Sequence, residues 1–296
     1  MLNIIQNRKT YFTISSILVI LSILSLSIWG LVPAIDFTGG TLMELEFNQS
    51  RPIVSEIKSS LDSLEIGDIK IQPTGEKGII LRAKDIDEQA HQQILEKLNS
   101  FTNNITEHKF TSIGPIVGQE LKKKTTSAMI LVVVCIILYI AWAFRKISKP
   151  VQSWKYGLSA IIALAHDVII VSGIFAVLGR FAGYEVDVLF VTALLTILGY
   201  SVNDTIVVFD RVRENLFHEH GYDFEDTVNH SVNETVVRSL NTSITTLLVL
   251  FSIFLFGGAS IKQFVLALIC GAIVGTYSSI FLASPLLVVW QKLRKR

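Results

Sequence analysis

The chain predicts a polytopic α-helical membrane protein: six transmembrane helices, with one external α+β ferredoxin-like domain between helices 1 and 2. Three observations predict it. Half of the 296 residues are hydrophobic and only 17% are charged, and the mean hydropathy is +0.52, a balance rare in soluble chains of this length. Apolar runs of about 20 residues, enough to cross a bilayer, recur along the sequence. Between residues 36 and 124 the pattern changes to the alternating and helical periods of a water-soluble fold. The predicted divisions are 1–34 (N-terminus and first span), 35–124 (external domain) and 125–296 (five-helix membrane domain).

The spans run in order from Tyr11 to Gly30, Thr126 to Phe144, Tyr156 to Gly179, Val188 to Phe209, Ser239 to Phe256 and Phe264 to Trp290. The last is long enough to tilt or to continue past the bilayer. Arg8 and Lys9 precede the first run and Val32-Pro33-Ala34 follows it, as in a signal peptide, but the run exceeds the usual 7–15 residues. A retained anchor is expected. Cys135 and Cys270 fall inside apolar runs and read as buried small side chains.

Orientation follows from the basic residues. Arg8, Lys9, Arg145, Lys146, Lys149, Lys155, Arg211, Arg213, Arg238, Lys292, Arg294, Lys295 and Arg296 fall on one side, against Arg180 and Lys262 in the short loops opposite. The positive-inside rule puts both termini in the cytoplasm and residues 36–124 outside. Lys122, Lys123 and Lys124 belong to the long translocated segment, which is largely exempt.

In the external domain, Thr41–Phe47 alternates like a strand. Residues 53–64 carry apolar groups at helical spacing (Ile53, Ile57, Leu61, Leu64). Ile69–Gln72 and Gly78–Arg82 read as strands joined by a Pro-Thr-Gly turn. Residues 87–98 form a second helix capped by Asp87, and Ile105–Ile113 a last strand. The order β-α-β-β-α-β is ferredoxin-like. His91 and His108 are isolated and expected to face solvent. No metal-ligand spacing, nucleophile triad or phosphate loop occurs, so contact rather than catalysis is expected, with no metal and no cofactor. A net charge of +1 gives no reason to invoke nucleic acid.

The stretch Gly199–Glu214 is the most informative. It places Asp204 inside an apolar run, roughly 24 Å from one end of its span and 9 Å from the other at 1.5 Å per residue. An acid in hydrocarbon costs a few kcal/mol or more, so such residues mark pathways or lock helices together. Asn203 adjoins it, and Arg211 lies two turns on along the same face. Arg238, at the start of span five, heads a polar stripe with Asn241, Thr242 and Thr245 that would come opposite Asp204. Against this stands a bland reading: Arg238 snorkels to headgroups and the threonines bond their own helix. In span three, Asp167 is expected to face the bundle. His166, about 100° away on the helix, is open between relay and packing. Glu185 and Asp187 read as solvated rim residues. Gly271, Gly275 and Ser279 recur every fourth residue, a spacing that lets helices approach closely.

Together these pieces resemble the SecF family of bacterial protein-translocase subunits, relatives of the RND superfamily. The matching residues are Ile35-Asp36-Phe37-Thr38-Gly39-Gly40 after span one, Ile113–Leu121 before span two, Ala165-His166-Asp167 in span three, Gly199–Asn215 in span four and Arg238–Ser243 in span five. The resemblance implies a non-enzymatic accessory subunit in the bacterial inner membrane. It would pair with SecD as a separate chain, work beside the SecYEG channel and use the proton motive force to promote preprotein translocation. It also implies that Asp204 and Arg238 serve proton conduction. The alternatives are a proton-driven RND-type exporter of small molecules or lipids, for which one small domain and six spans are too little, and a passive membrane scaffold. With no nucleotide loop, energy must come from the gradient or a partner.

Overall fold

The computed structural model describes residues 2–64, 67, 69–84, 86–102, 104–144, 152–218 and 223–294. Of the basic residues that set orientation, Arg145, Lys146, Lys149, Lys295 and Arg296 lie outside these. Two compact units are present. One comprises residues 1–32, 128–184 and 189–296; the other comprises 33–127 together with 185–188.

The span-length helices, six among the described residues, lie in the first unit apart from residues 115–127 and 188. Helix α1 (Arg8–Ile28) buries only serines, Ser15, Ser22 and Ser25. It can lie close to α6 (Ser153–Ala182) because Gly173 there has no side chain: a Cβ at Gly173 would collide with the Ser22 backbone. Ser25 Oγ then donates to Gly173 O at 3.1 Å. Small residues replace hydrophobic burial as the means of packing in lipid.

The second unit begins with a single helical turn, α2 (Ile35–Thr38). Four strands follow, β1 (Gly40–Phe47), β2 (Lys70–Thr74), β3 (Gly78–Ala83) and β4 (Ile105–Ile113). The antiparallel sheet has the order β2-β3-β1-β4, with Met43 opposite Leu81 and Phe110. Helices α3 (Val54–Asp62) and α4 (Glu88–Thr102) cover one face, and Met43, Leu45, Phe47, Ile57, Leu61, Ile79, Leu81, Ile94 and Leu98 fill the core between. This is the expected split β-α-β-β-α-β arrangement. Asp87 caps α4, its Oδ1 accepting from Ala90 N–H at 2.8 Å.

Three expectations are corrected here. His91 is buried, not solvent-facing. It stacks on Phe110 at 3.9 Å and reaches Glu107 at 3.0 Å and Glu88 at 3.3 Å. Its body fills the sheet–helix gap while its nitrogens find carboxylates. His108 is exposed but pairs with Glu46. Glu185 is not a solvated rim residue: residues 185–188 join the second unit, where Glu185 binds Arg82 of β3 at 2.9 Å. Cys135 is exposed and Cys270 half-buried, because an apolar span need not turn every apolar side chain toward protein.

The remaining helices are α5 (Pro115–Ala143), α6 (Ser153–Ala182), α7 (Val188–His218), α8 (Phe224–Phe256), α9 (Ala259–Ser278) and α10 (Ser284–Arg294). A π-helical turn, Ser279–Ala283, joins the last two. Pro285 explains it: the ring has no N–H for the carbonyl four residues back and would collide with it, and a widened turn relieves both. Helices α7 and α8 run far beyond the predicted apolar limits. Arg211 forks onto Glu234 at 2.7 and 2.8 Å and reaches Glu214. Asn215 bonds Ser231 and Glu234. Such pairs extend helices that hydropathy alone ends early. The N-terminal segment docks here too, with Leu2 N–H on Asn233 and Ile5 N–H on Asn229, while Glu225 pairs with Arg8 and Lys292.

Two outcomes are expected. Gly173→Ala should push α1 off α6 and cost about 1–3 kcal/mol, read as a lower thermal midpoint of the full chain in detergent. Burial pushes the Glu185 carboxyl up, only partly offset by Arg82 and Lys70. A raised folded-state value means that ionisation disfavours the fold, so stability is lost as pH rises through that value. Glu185→Gln should therefore match or exceed wild type at neutral pH, with the gap closing on acidification. Arg82→Gln should be destabilising.

Candidate functional site

Two intramembrane carboxylates lie in one polar interior. Asp167 on α6 is fully buried, as the bundle-facing expectation required. Its Oδ2 accepts from Ser201 Oγ of α7 at 2.6 Å and from Ser278 Oγ of α9 at 2.9 Å. Its Oδ1 lies 3.0 Å from His166 Nδ1. The two neighbours meet because the imidazole folds back on the carboxylate rather than sharing a third partner.

Asp204 is half-buried on α7. Oδ1 accepts from Ser239 Oγ of α8 at 2.5 Å. Oδ2 is buried and accepts no hydrogen bond of normal geometry, although the Ser279 hydroxyl stands close enough to favour the carboxylate as a weak donor. Ser201, Asp204 and Thr205 share one face of α7 by the i, i+3, i+4 rule. Ser279, in the π-turn, bonds Thr205 Oγ1 at 3.0 Å and Ser201 O at 3.3 Å. A second hydroxyl run links Tyr200 to Ser243 at 2.9 Å and Ser243 to Thr276 at 2.5 Å. Gly271 and Gly275 admit this packing. A Cβ on Gly271 would overlap Ile197, and one on Gly275 would come within 3.1 Å of Ser201 Cβ.

The expected polar stripe is placed differently. Arg238, Asn241, Thr242 and Thr245 are exposed on α8. Thr242 and Thr245 bond carbonyls of their own helix. Arg238 is near enough to Asp204 for its charge to be felt but makes no ion pair with it. Since Ser239 faces α7, its neighbour Arg238 is turned away by about 100°. Arg211 does not serve Asp204 either, being bound to Glu214 and Glu234. Asn203 is exposed. The sequence reading missed Ser201, Ser239, Ser278 and Ser279, which do the solvating. The available signal was Ser201 and Thr205 flanking Asp204 at helical spacing.

Asp36, Thr38, Gly39 and Gly40 lie at the root of the second unit. Asp36 Oδ2 accepts from Val188 N–H, the first residue of α7, at 3.0 Å, satisfying an orphan helix-end donor. Ala34 N–H bonds Val186 O at 2.9 Å. Thr38 Oγ1 donates to Ala34 O. Gly39 has φ +75°, and a Cβ there would meet Pro115 Cα at 2.8 Å; one at Gly40 would meet Ala83 O at 2.8 Å. Positive φ and contact on both sides leave room for glycine alone.

Residues 93–293 match the C-terminal region of the protein export membrane proteins SecD/SecF, and residues 25–50 match the SecD/SecF GG motif. The chain belongs to the SecD/SecF family. The protein translocase subunit SecF of Thermobaculum terrenum is 43% identical over 98% of this chain and 94% of its own length. That of Anaerolinea thermophila is 39% identical over the same shares. The crystal structure of SecDF, a translocon-associated membrane protein from Thermus thermophilus, superposes with a TM-score of 0.85 at 30% identity, covering 98% of this chain and 39% of that one. A second SecDF structure, in a super-membrane-facing form, gives 0.70 at 31% identity over 99% of this chain and 39% of that one. The protein is thus a multi-pass membrane component of protein transport, not an enzyme.

Removing a hydroxyl from Asp167 leaves a buried carboxylate under-solvated. Ser201→Ala and Ser278→Ala should each cost about 1–3 kcal/mol. The double substitution should cost more than either, measured by urea or thermal unfolding of the purified chain.

Proposed function

We propose that this chain is an accessory subunit of the Sec protein translocase that uses the proton motive force to promote preprotein translocation, with Asp204 as the proton-carrying acid. The observation that carries the reading is the state of Asp204: one oxygen held by a single serine, the other buried and unpaired. A fully satisfied carboxylate would be a fixed structural ion. A half-satisfied one has an oxygen free to take up a proton. Asp167, with His166 beside it, is the second station of the relay, linked to the Asp204 helix through Ser201. Arg238 acts on Asp204 by charge rather than by a bond, which suits a partner that must not lock the acid.

Protonation of Asp204 would remove that charge, weaken its bond to Ser239 and shift α8 against α7 between two packings. A differential stability of a few kcal/mol is enough to drive such a switch. The external unit would carry the change to the translocating chain.

The partners follow from the relatives. The chain spans 39% of the SecDF chain it resembles; the partner we propose is SecD, and the two would work beside SecYEG in the bacterial inner membrane. Both termini would be cytoplasmic, because the retained basic residues Arg8, Lys9, Lys155, Arg211 and Lys292 share that side.

The test is a pulse-chase of signal-peptide cleavage in cells whose sole copy carries Asp204→Asn at normal abundance. Precursor processing should slow by about tenfold or more, equivalent to about 1.4 kcal/mol, and Arg238→Met should act in the same direction. Wild-type processing by Asp204→Asn would refute the proton role and leave a scaffold.

A further inference from the structure

The sheet of the second unit has two edges, and they are built differently. Phe47 N–H bonds Lys77 O and Asn48 N–H bonds Asn104 O, which sets the phase of the ladder. In β1, Met43, Leu45 and Phe47 turn their main-chain groups to β3, and Leu42, Glu44 and Glu46 turn theirs to β4. The β4 partners of that second set, Thr111, Lys109 and Thr106, therefore face inward. Glu107 and Phe110 face outward. On the other side Leu81 faces β1, so Ile80 and its partner Gln72 face each other, and Pro73 faces outward. Strand β2 is five residues long, and its outer side carries a proline, which has no N–H to offer. Strand β4 is nine residues long, about 30 Å of edge.

Among the described residues, nothing outside the β1–β4 ladder bonds the main-chain groups of Glu107 or Phe110. The outer N–H of Ile105 is taken by Asn99 Oδ1 at 3.0 Å, which marks where the open stretch begins. The strand is held firm from within. His91 of α4 stacks on the Phe110 ring and reaches the Glu107 carboxylate, and Glu46 of β1 holds His108. Leu95, Ile105 and Phe110 sit at the margin of the core and are only half-buried. An added strand would place every second side chain on that margin. The edge is thus rigid, open in its main chain and apolar on its helix side.

We propose that the outer side of β4 binds an extended segment of the translocating polypeptide, adding it as a further strand to the four-stranded sheet. The occupant follows from its chemistry. A protein-transport subunit meets chains of every sequence, and the one group common to all of them is the peptide main chain. An edge strand reads that group through its own N–H and C=O, here those of Glu107 and Phe110, and side chains add only what the apolar margin supplies. Pro73 closes the other edge to the same pairing. A second copy of this chain fits worse. The bulge opposite Glu44 and Leu45 breaks the edge into two short registers, so two β4 strands cannot pair along their whole length. Short pairing is weak pairing, which suits a chain that must move on. The inference rests on the export reading above and adds to it where, and by which groups, the moving chain is held.

The test has two arms, both on the full chain with its SecD-type partner. The first, in lipid nanodiscs, follows hydrogen exchange residue by residue while a synthetic Thr-Val repeat peptide is added. At a peptide concentration about ten times its Kd, exchange of the Glu107 and Phe110 amides should slow about tenfold. The amides of Thr106 and Lys109, already in the ladder, should hardly change. A twin peptide N-methylated at every residue has no main-chain donors and should slow nothing. No slowing by the first peptide, or equal slowing by both, overturns the proposal. This arm needs no substitution in the protein. The second arm identifies the occupant in membranes, with a preprotein stalled midway and a benzophenone maleimide attached at Lys109→Cys or, on α3, at Lys58→Cys. Illumination should capture the preprotein in several-fold greater yield from position 109. Equal yields overturn the proposal, and so does capture of the SecD-type partner or a second copy in place of the preprotein. Either failure alongside slow precursor processing in Asp204→Asn removes this site and spares the export reading. Wild-type processing in Asp204→Asn bears on the proton role alone and leaves the edge to these two arms.

Discussion

A carboxylate in hydrocarbon must be solvated by the protein itself, and the membrane unit is organised around that requirement. Water is replaced by serine hydroxyls carried on three different helices, Ser201 on α7, Ser239 on α8 and Ser278 at the end of α9, with Thr205 and Ser279 bonded to each other beside them. Hydroxyls are short, so the backbones bearing them must come close. Glycine at 271 and 275 makes that approach sterically allowed. The π-turn at Ser279–Ala283 then widens the helix beside Asp204, where a regular turn would conflict with Pro285. Small residues, hydroxyls and the irregular turn are one device.

The two acids are solvated unequally, and the inequality matters more than the burial. Asp167 has two hydroxyl donors and an imidazole; Asp204 has one donor and a bare buried oxygen. In a low-dielectric interior, satisfied polar networks are rigid and half-satisfied ones are responsive. The same contrast appears in the imidazole of His166, occupied on one nitrogen and open on the other.

The second unit is built on ordinary soluble-protein principles, with a half-buried sheet, two amphipathic helices and a capped turn. Its crowded spot is the short stretch 33–40. Asp36 accepts from the N–H of Val188, which belongs to the same unit. Gly39 and Gly40 let this turn fit between the start of α5 and the end of β3. The GG motif is therefore a steric requirement of a crowded turn within this unit.

The sequence by itself determined the six apolar helices, the order and register period of the external strands, and the positions of the acids. Each depends on local composition or short-range spacing: a run of apolar residues, alternation, a lone Asp inside a span. Only the tertiary structure decided which side chains meet. Arg211 lies on the Asp204 face of its helix, yet Glu234, 23 residues on, captures it. Arg238 and Ser239 are adjacent, and helix rotation sends one outward and the other onto Asp204. His91 reads as a solitary polar residue until β4 brings Phe110 and Glu107 beneath it. Hydropathy reads each residue against solvent or lipid, whereas the partners of a buried polar atom are set by helix rotation and separation, to which distant glycines and serines contribute jointly.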